Sequence, residues 1–234
     1  MVQFYANGLL TFVTVPELEL ERDRDLMRSR QNLLEQQSKL RKHIQALLRR
    51  NGFHYKEQTQ SKSHWTKHHY GWLDKTIKAL SGSLKVNLQL LLRQLHALNA
   101  TLAEYEQHID ALAKSTRYEK AVQSLICYKG IKHIFALTMI SEIGDIKRFP
   151  HPRQLVSWIG MDIREYSSGG KHHRFGITKH GNRYLRTAFI EANQRGYRTG
   201  RILLIAGKHP NKVKVACARE MVGFVWESRH KAAA

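Results

Sequence analysis

A mainly α-helical fold is predicted by three features of the sequence: a coiled-coil seam between Leu84 and Leu112, an earlier heptad of leucines, and a C-terminal half of short apolar segments punctuated by Gly, Pro and basic clusters. The expected architecture is a long coiled-coil helical hairpin followed by a compact, mostly helical domain with a helix-hairpin-helix-like element. Periodicity places the arm at residues 18–116 and the compact domain at 117–234, with 1–17 as a short leading segment.

In the first long pattern Leu26, Leu33, Leu40 and Leu47 recur every seven residues, joined by Met27, Leu34, Ile44 and Leu48. This spacing predicts an amphipathic helix that stops at Asn51-Gly52. The stretch NGFHYKEQTQSKSHWTKHHYGW then breaks the period with polar and aromatic residues, and a short helix follows over Leu73 to Leu80. The second pattern is stronger, since Leu84, Leu88, Leu91, Leu95, Leu98, Leu102, Tyr105, Ile109 and Leu112 alternate four and three apart. At 1.5 Å per residue this helix extends roughly 45–50 Å. The two helices pair most simply as an antiparallel hairpin, and either seam is also suited to oligomerisation, because an uncovered one would be a large apolar patch.

The 234 residues carry a formal charge of +20, yet 42% of them are apolar. Such a chain folds, and its surface attracts polyanions, nucleic acid first among them. Residues 146–234 hold eighteen Lys or Arg against five Asp or Glu, a net +13, so most of the charge is C-terminal. The apolar runs KHIFALTMISEIG and GRILLIAG fall short of the roughly 18–20 residues of a membrane span. No secretory signal is visible. Cys127 and Cys217 sit in apolar helical contexts without metal-type spacing, which predicts reduced core thiols in a cytoplasmic protein.

LICYKGIKHIFALTMISEIGDI reads as two helices with turns at Gly130 and Gly144. Gly130 permits a close backbone approach, and Lys132 stands at the start of the next helix, where free N–H groups suit a phosphate. The alternative is a plain αα-hairpin. In RFPHPRQLVSWIGMD a Pro-punctuated loop precedes a helix whose Leu155, Trp158 and Ile159 are expected in the core.

EYSSGGKHHRFGITKHGNRYLR is the stretch richest in chemistry. Ser167, Ser168, Gly169 and Gly170 are read as a loop, with a helix resuming after Gly181-Asn182. Lys171, Arg174, Lys179, Arg183 and Arg186 flank the two hydroxyls. Guanidinium forks bind phosphate oxygens in pairs, so the stretch is either a phosphate grip or a serine nucleophile beside such a grip. Tyr166 and Tyr184 are lesser candidates. The tandem histidines 68–69 and 172–173 lack helical metal spacing, and Glu142, Asp145, Asp162 and Glu165 form no convincing metal cluster, so no metal site is expected.

These motifs, KGI with EIGD and RF, then QLVSWIGM, REYSSGG, GITKHGNRYLR and KVACAREMVGFVW, resemble in order and spacing the C-terminal domain of insertion-sequence transposases related to the Piv DNA invertase and MooV, some of them guided by a bridge RNA. The preceding residues resemble that family's coiled-coil region. The resemblance implies DNA transposition or site-specific recombination through a covalent serine link to DNA. It maps the nucleophile onto Ser168, with Ser167 as the second choice. It also maps DNA-holding positions onto Lys179, Asn182 and Arg186, with Gly169, Gly170, Lys171, Arg174 and Arg183 around them.

Family members carry in addition an N-terminal RuvC-like domain with four carboxylates for a divalent metal. The resemblance begins after those carboxylates, so residues 1–17 are expected to be the remnant of that domain. Mg2+ is then expected only when such an acidic domain completes the site, with no cofactor in this chain itself. Implied partners are DNA, a guide RNA and a second copy joined through the coiled coil, in a nucleoid-associated cytoplasmic protein. The alternative function is a non-catalytic DNA- or RNA-binding fragment that dimerises through the same coiled coil.

Overall fold

A computed structural model describes residues 15–59, 63–168, 171–193 and 206–233, with residues 3, 7, 8 and 61. The chain is mainly helical. The elements are α1 (Leu18–Arg50), α2 (Tyr55–Thr59), α3 (Lys67–Ala79), α4 (Gly82–Ala113), α5 (Glu119–Ile126), α6 (His133–Ile143), a 3-10 turn (Ile146–Arg148), α7 (Pro152–Ile159), β1 (Ile163–Ser168), β2 (Lys171–Ile177), α8 (Arg183–Ala192) and α9 (Pro210–Ala233). Most of 1–17 and most of the GRILLIAG segment lie outside the described residues.

Two compact units form, one of residues 28–109 and one of residues 1–27 with 110–234. Periodicity alone divides the chain near 117, whereas both long helices give one end to the second unit.

Within residues 28–109 the long helices run antiparallel. Arg30 pairs with Glu106, and Gln37 Nε2 donates to Asn99 Oδ1 at 2.6 Å, so an advance along α1 is a retreat along α4. Further on, Ile44 and Leu48 pack with Leu88, Leu92 and Leu95, and Leu73 of α3 closes the cluster. The seam is therefore uneven. Leu88, Leu95, Leu102 and Ile109 are buried, while Leu84, Leu91, Leu98 and Tyr105 stay partly exposed at the rim. Polar pairs occupy the stretch around Arg30 and Gln37, which is why Leu33 and Leu34 are only half-buried there.

The connecting segment is more ordered than its polar composition suggests. Thr66 caps α3 by accepting from the His69 backbone N–H at 3.3 Å, and the short helix α2 buries Tyr55. His69 is buried, and its Nδ1 accepts from the Trp65 backbone N–H at 3.1 Å. The ring stacks with Trp72 and meets the edges of Tyr55, His64 and Trp65. Burial, and then the neighbouring His64, lower its pKa to about 4.

In the other unit α9 packs against α5, α7, α8 and the 3-10 turn, and α6 packs against α5 and α8. Cys217, Ala218, Met221, Val222 and Val225 form the buried stripe of α9. The Trp226 indole N–H donates to the Phe149 carbonyl at 2.7 Å, which ties the Pro-punctuated loop to this helix. At the start of α1, Arg117 pairs with Glu17 and Glu19, and the buried Tyr118 hydroxyl donates to Asp23 at 2.6 Å. Burial and that carboxylate hold the Tyr118 hydroxyl proton well above its ordinary pKa.

Two expectations are corrected. Ser167 and Ser168 end a paired strand and are not part of an irregular loop: β1 and β2 pair antiparallel, with Tyr166 opposite His173 and Ser168 opposite Lys171, while Gly169 and Gly170 lie outside the described residues. A Gly-Gly pair between two short runs, IREYSS and KHHRFGI, carries the hairpin signal. The two thiols are free, but only Cys217 is buried; Cys127 follows the last turn of α5 and is exposed.

Because His69 takes up a proton far less readily when folded, the unfolded state binds more protons between about pH 6.5 and pH 4. Stability is full above that window and falls as pH drops through it. Denaturant unfolding over this range should reveal a loss of up to about 3 kcal/mol that the His69→Leu chain lacks.

Candidate nucleic-acid interface

The basic stretch around the hairpin is positioned by a backbone clasp. Helix α7 ends at Gly160, in the left-handed region at φ 78°, and Gly181 has φ 118°. A Cβ on Gly160 would lie 2.1 Å from the His180 carbonyl oxygen, and one on Gly181 would lie 2.1 Å from that of Trp158. Only glycine lets these two segments touch. The clasp is sealed by the Lys179 N–H donating to the Gly160 carbonyl at 2.9 Å and the Thr178 N–H donating to that of Asp162 at 2.8 Å.

Asn182 then starts α8. Its Oδ1 accepts from the Leu185 backbone N–H at 3.0 Å, a standard cap, while its Nδ2 donates to Glu142 Oε2 at 2.6 Å. Glu142 is 2% exposed, in the last turn of the apolar helix α6. Arg24 approaches the same carboxylate at 3.7 Å and donates twice to the adjoining Ser141 carbonyl, at 3.1 and 2.9 Å. Arg186 donates to the Ile159 carbonyl at 2.8 Å, locking α8 to the end of α7. Its pKa is lowered by burial and by the nearby Arg183.

The sequence-derived candidates thus separate into kinds. Ser167 is exposed on β1, and its Oγ donates to Glu165 at 2.7 Å. Ser168 is the last residue of β1; its side chain and those of Lys171 and Arg174 lie outside the described set, as do residues Gly169 and Gly170 altogether. Lys179 is exposed with φ 58°, and Arg183 is exposed with its guanidinium 5.5 Å from the Tyr184 ring centre. The polar atoms of Asn182 and the Arg186 guanidinium are engaged inside the protein.

At the α5–α6 turn, a Cβ on Gly130 would lie 1.9 Å from the Ala192 carbonyl oxygen. The close approach that this glycine permits is therefore to α8, and the exposed cations at the turn are Lys129 and Lys132. Trp158 is half-buried under the Arg148 guanidinium, 4.5 Å from its ring centre.

Each nearby acid has a local partner. Glu142 holds Asn182, Asp145 accepts from the Lys147 N–H at 2.9 Å, Asp162 lies 4.0 Å from Arg219, and Glu165 receives Ser167. Among the described residues no group of three or more His, Cys, Asp or Glu side chains is placed to hold a metal ion. The residues that sequence reasoning missed are Arg24 and Gly160. An acidic residue inside an apolar run was the available sign that Glu142 needs a partner, but nothing local points to Arg24.

Asn182→Ala removes the cap and the partner of a buried carboxylate, and should destabilise this unit by about 2–4 kcal/mol in urea unfolding. Asn182→Asp keeps the cap but sets two carboxylates together, so it should not restore the loss.

Residues 122–203 match the family model for transposases of the IS116/IS110/IS902 family. Over 94% of its length the chain is 28% identical to the putative transposase y4qE of Sinorhizobium fredii, covering 60% of that protein. It is 35% identical to the transposase for insertion sequence element IS1111A of Coxiella burnetii, over 47% of this chain and 30% of that one. It is 30% identical to a probable family 20 transposase of Pseudomonas aeruginosa, over 59% and 43% respectively. The chain thus spans between 30% and 60% of the length of these relatives. The segment holding the glycine clasp, the hairpin and α8 is the one similar to the IS116/IS110/IS902 family transposases.

Proposed function

We propose that this chain acts in DNA transposition, residues 117–234 binding DNA and Ser168 supplying the hydroxyl that attacks a phosphodiester. The observation that carries this reading is the transposase family match over residues 122–203, which includes β1, β2 and α8. Its net +13 charge after residue 145 supports a polyanionic partner, and a guide RNA would use the same chemistry.

In the proposed step Ser168 Oγ bonds to phosphorus as the bond to a deoxyribose oxygen breaks, and the hydroxyl proton ends on that leaving oxygen. The product is a serine-DNA ester that the reverse attack by another strand end resolves. Lys179 and Arg183 neutralise backbone phosphates. Asn182 and Arg186 act as positioning residues, because their side chains hold the clasp and α8. Among the described residues the four nearby acids each have a partner and no three His, Cys, Asp or Glu side chains are placed to hold a metal ion, so no step here is routed through one.

A second reading, a binding module that dimerises through its coiled coil and does not cut, is favoured by the seam leucines that stay partly exposed, Leu84, Leu91 and Leu98. Incubation with the element's end sequences, with and without an acidic RuvC-like partner, distinguishes the two on a denaturing gel. Protein-linked DNA should form with the wild type and with Ser167→Ala and disappear in Ser168→Ala; an adduct surviving Ser168→Ala removes the assignment. Under both readings, six to ten phosphate contacts should weaken binding by on the order of 10³–10⁵ between 50 and 200 mM salt. Affinity constant over that range would exclude an electrostatic grip.

A further inference from the structure

The aromatic connecting segment of residues 51–81 plays no part in the function argued above, yet it builds a cavity. About 350 Å³ in volume, it is lined by Tyr55, His64, His69 and Trp72 together with Arg49 and Lys56, all within the unit of residues 28–109. We propose that this cavity binds one unpaired nucleotide of a single-stranded nucleic acid, its base against the rings and its phosphate on Arg49 and Lys56.

The lining supplies both halves of such a ligand. His69 and Trp72 are stacked, 14° apart in plane with ring centres at 5.8 Å, and His64 stands edge-on to His69 at 5.0 Å. Stacking on aromatic side chains accepts any base, since every base has a π face. The positive field inside the cavity is visible in His64, whose pKa is lowered by burial, then by Lys56 and Arg49. The His64 and His69 rings are therefore neutral at physiological pH, and the positive charge comes from Arg49 and Lys56, while Glu57 of the same lining lies 3.8 Å from His54 Nδ1. Arg49 and Lys56 are exposed, so they meet the backbone of a strand lying outside while one base enters.

The volume sits at the small end of ligand cavities, suited to one nucleotide. A duplex offers no free base face to such a site, whereas an unpaired stretch does. Tyr55 is itself fixed, its hydroxyl 2.9 Å from His68 Nδ1, so the ring wall exists before a ligand arrives.

The test uses the full chain with short oligonucleotides carrying 4-thiothymidine or 4-thiouridine, and a duplex of the same sequence. Photo-crosslinks to single strands should map to residues 53–72, and the DNA and RNA arms show which strand is preferred. His64→Ala, which removes a ring but no charge at neutral pH, should weaken single-strand binding about tenfold and leave duplex binding unchanged. Arg49→Ala with Lys56→Ala should do at least as much, whereas the exposed pair Lys75→Ala with Lys78→Ala, equal in charge, should cost clearly less. Crosslinks confined to residues outside 53–72, or equal losses in the two double variants, would overturn the proposal. Neither result would alter a Ser168-dependent DNA adduct, so this site and the transposition reading fail separately.

Discussion

A carboxylate almost wholly removed from water must be compensated on every side, and Glu142 is compensated by groups from distant parts of the chain. Asn182 reaches it from the start of α8, and Arg24 from α1. Removing one partner from such a buried charge typically costs about 3–5 kcal/mol, more than most surface contacts together contribute. The consequence is geometric. With Asn182 held, α8 begins at a fixed place, and the turn carrying Lys179 and the hairpin strand before it enter α8 from a fixed direction.

The glycine clasp works with this network and not independently of it. Gly160 and Gly181 bring two backbones into contact where any side chain would separate them, and Arg186 ties the same helix end through the Ile159 carbonyl. Four residues that look from the sequence like a row of phosphate binders therefore divide into outward cations and inward struts. Lys179 and Arg183 are exposed, whereas Asn182 and Arg186 spend their polar atoms on the fold. A basic motif is in this sense partly an architectural one, and its spacing reflects the clasp as much as any ligand.

The helical pair follows a different logic. Its antiparallel register is set by polar pairs at one end and by a leucine-isoleucine cluster with α3 at the other. The aromatic connector is held by the burial of Tyr55, Leu73 and His69, which gives a polar-looking segment a rigid wall of rings. Nothing in its local composition distinguishes a solvated loop from such a cluster. The difference lies in whether the histidines can be desolvated as neutral rings, and that depends on what packs over them.

Sequence alone determined the mainly helical class, the two long helices to within a few residues, the helix resuming after Asn182, and the concentration of positive charge after residue 145. Those features follow from periodicity and charge, which are local and additive along the chain. Tertiary structure decided what each polar residue is for. It placed Ser167 and Ser168 on a paired strand, exposed Cys127, turned Gly130 toward Ala192, and joined Arg24 to Glu142 across more than a hundred residues. The reason is physical: burial of a carboxylate, or of a glycine's Cα face, is a property of what comes to lie against it, and no window of neighbouring residues contains that information.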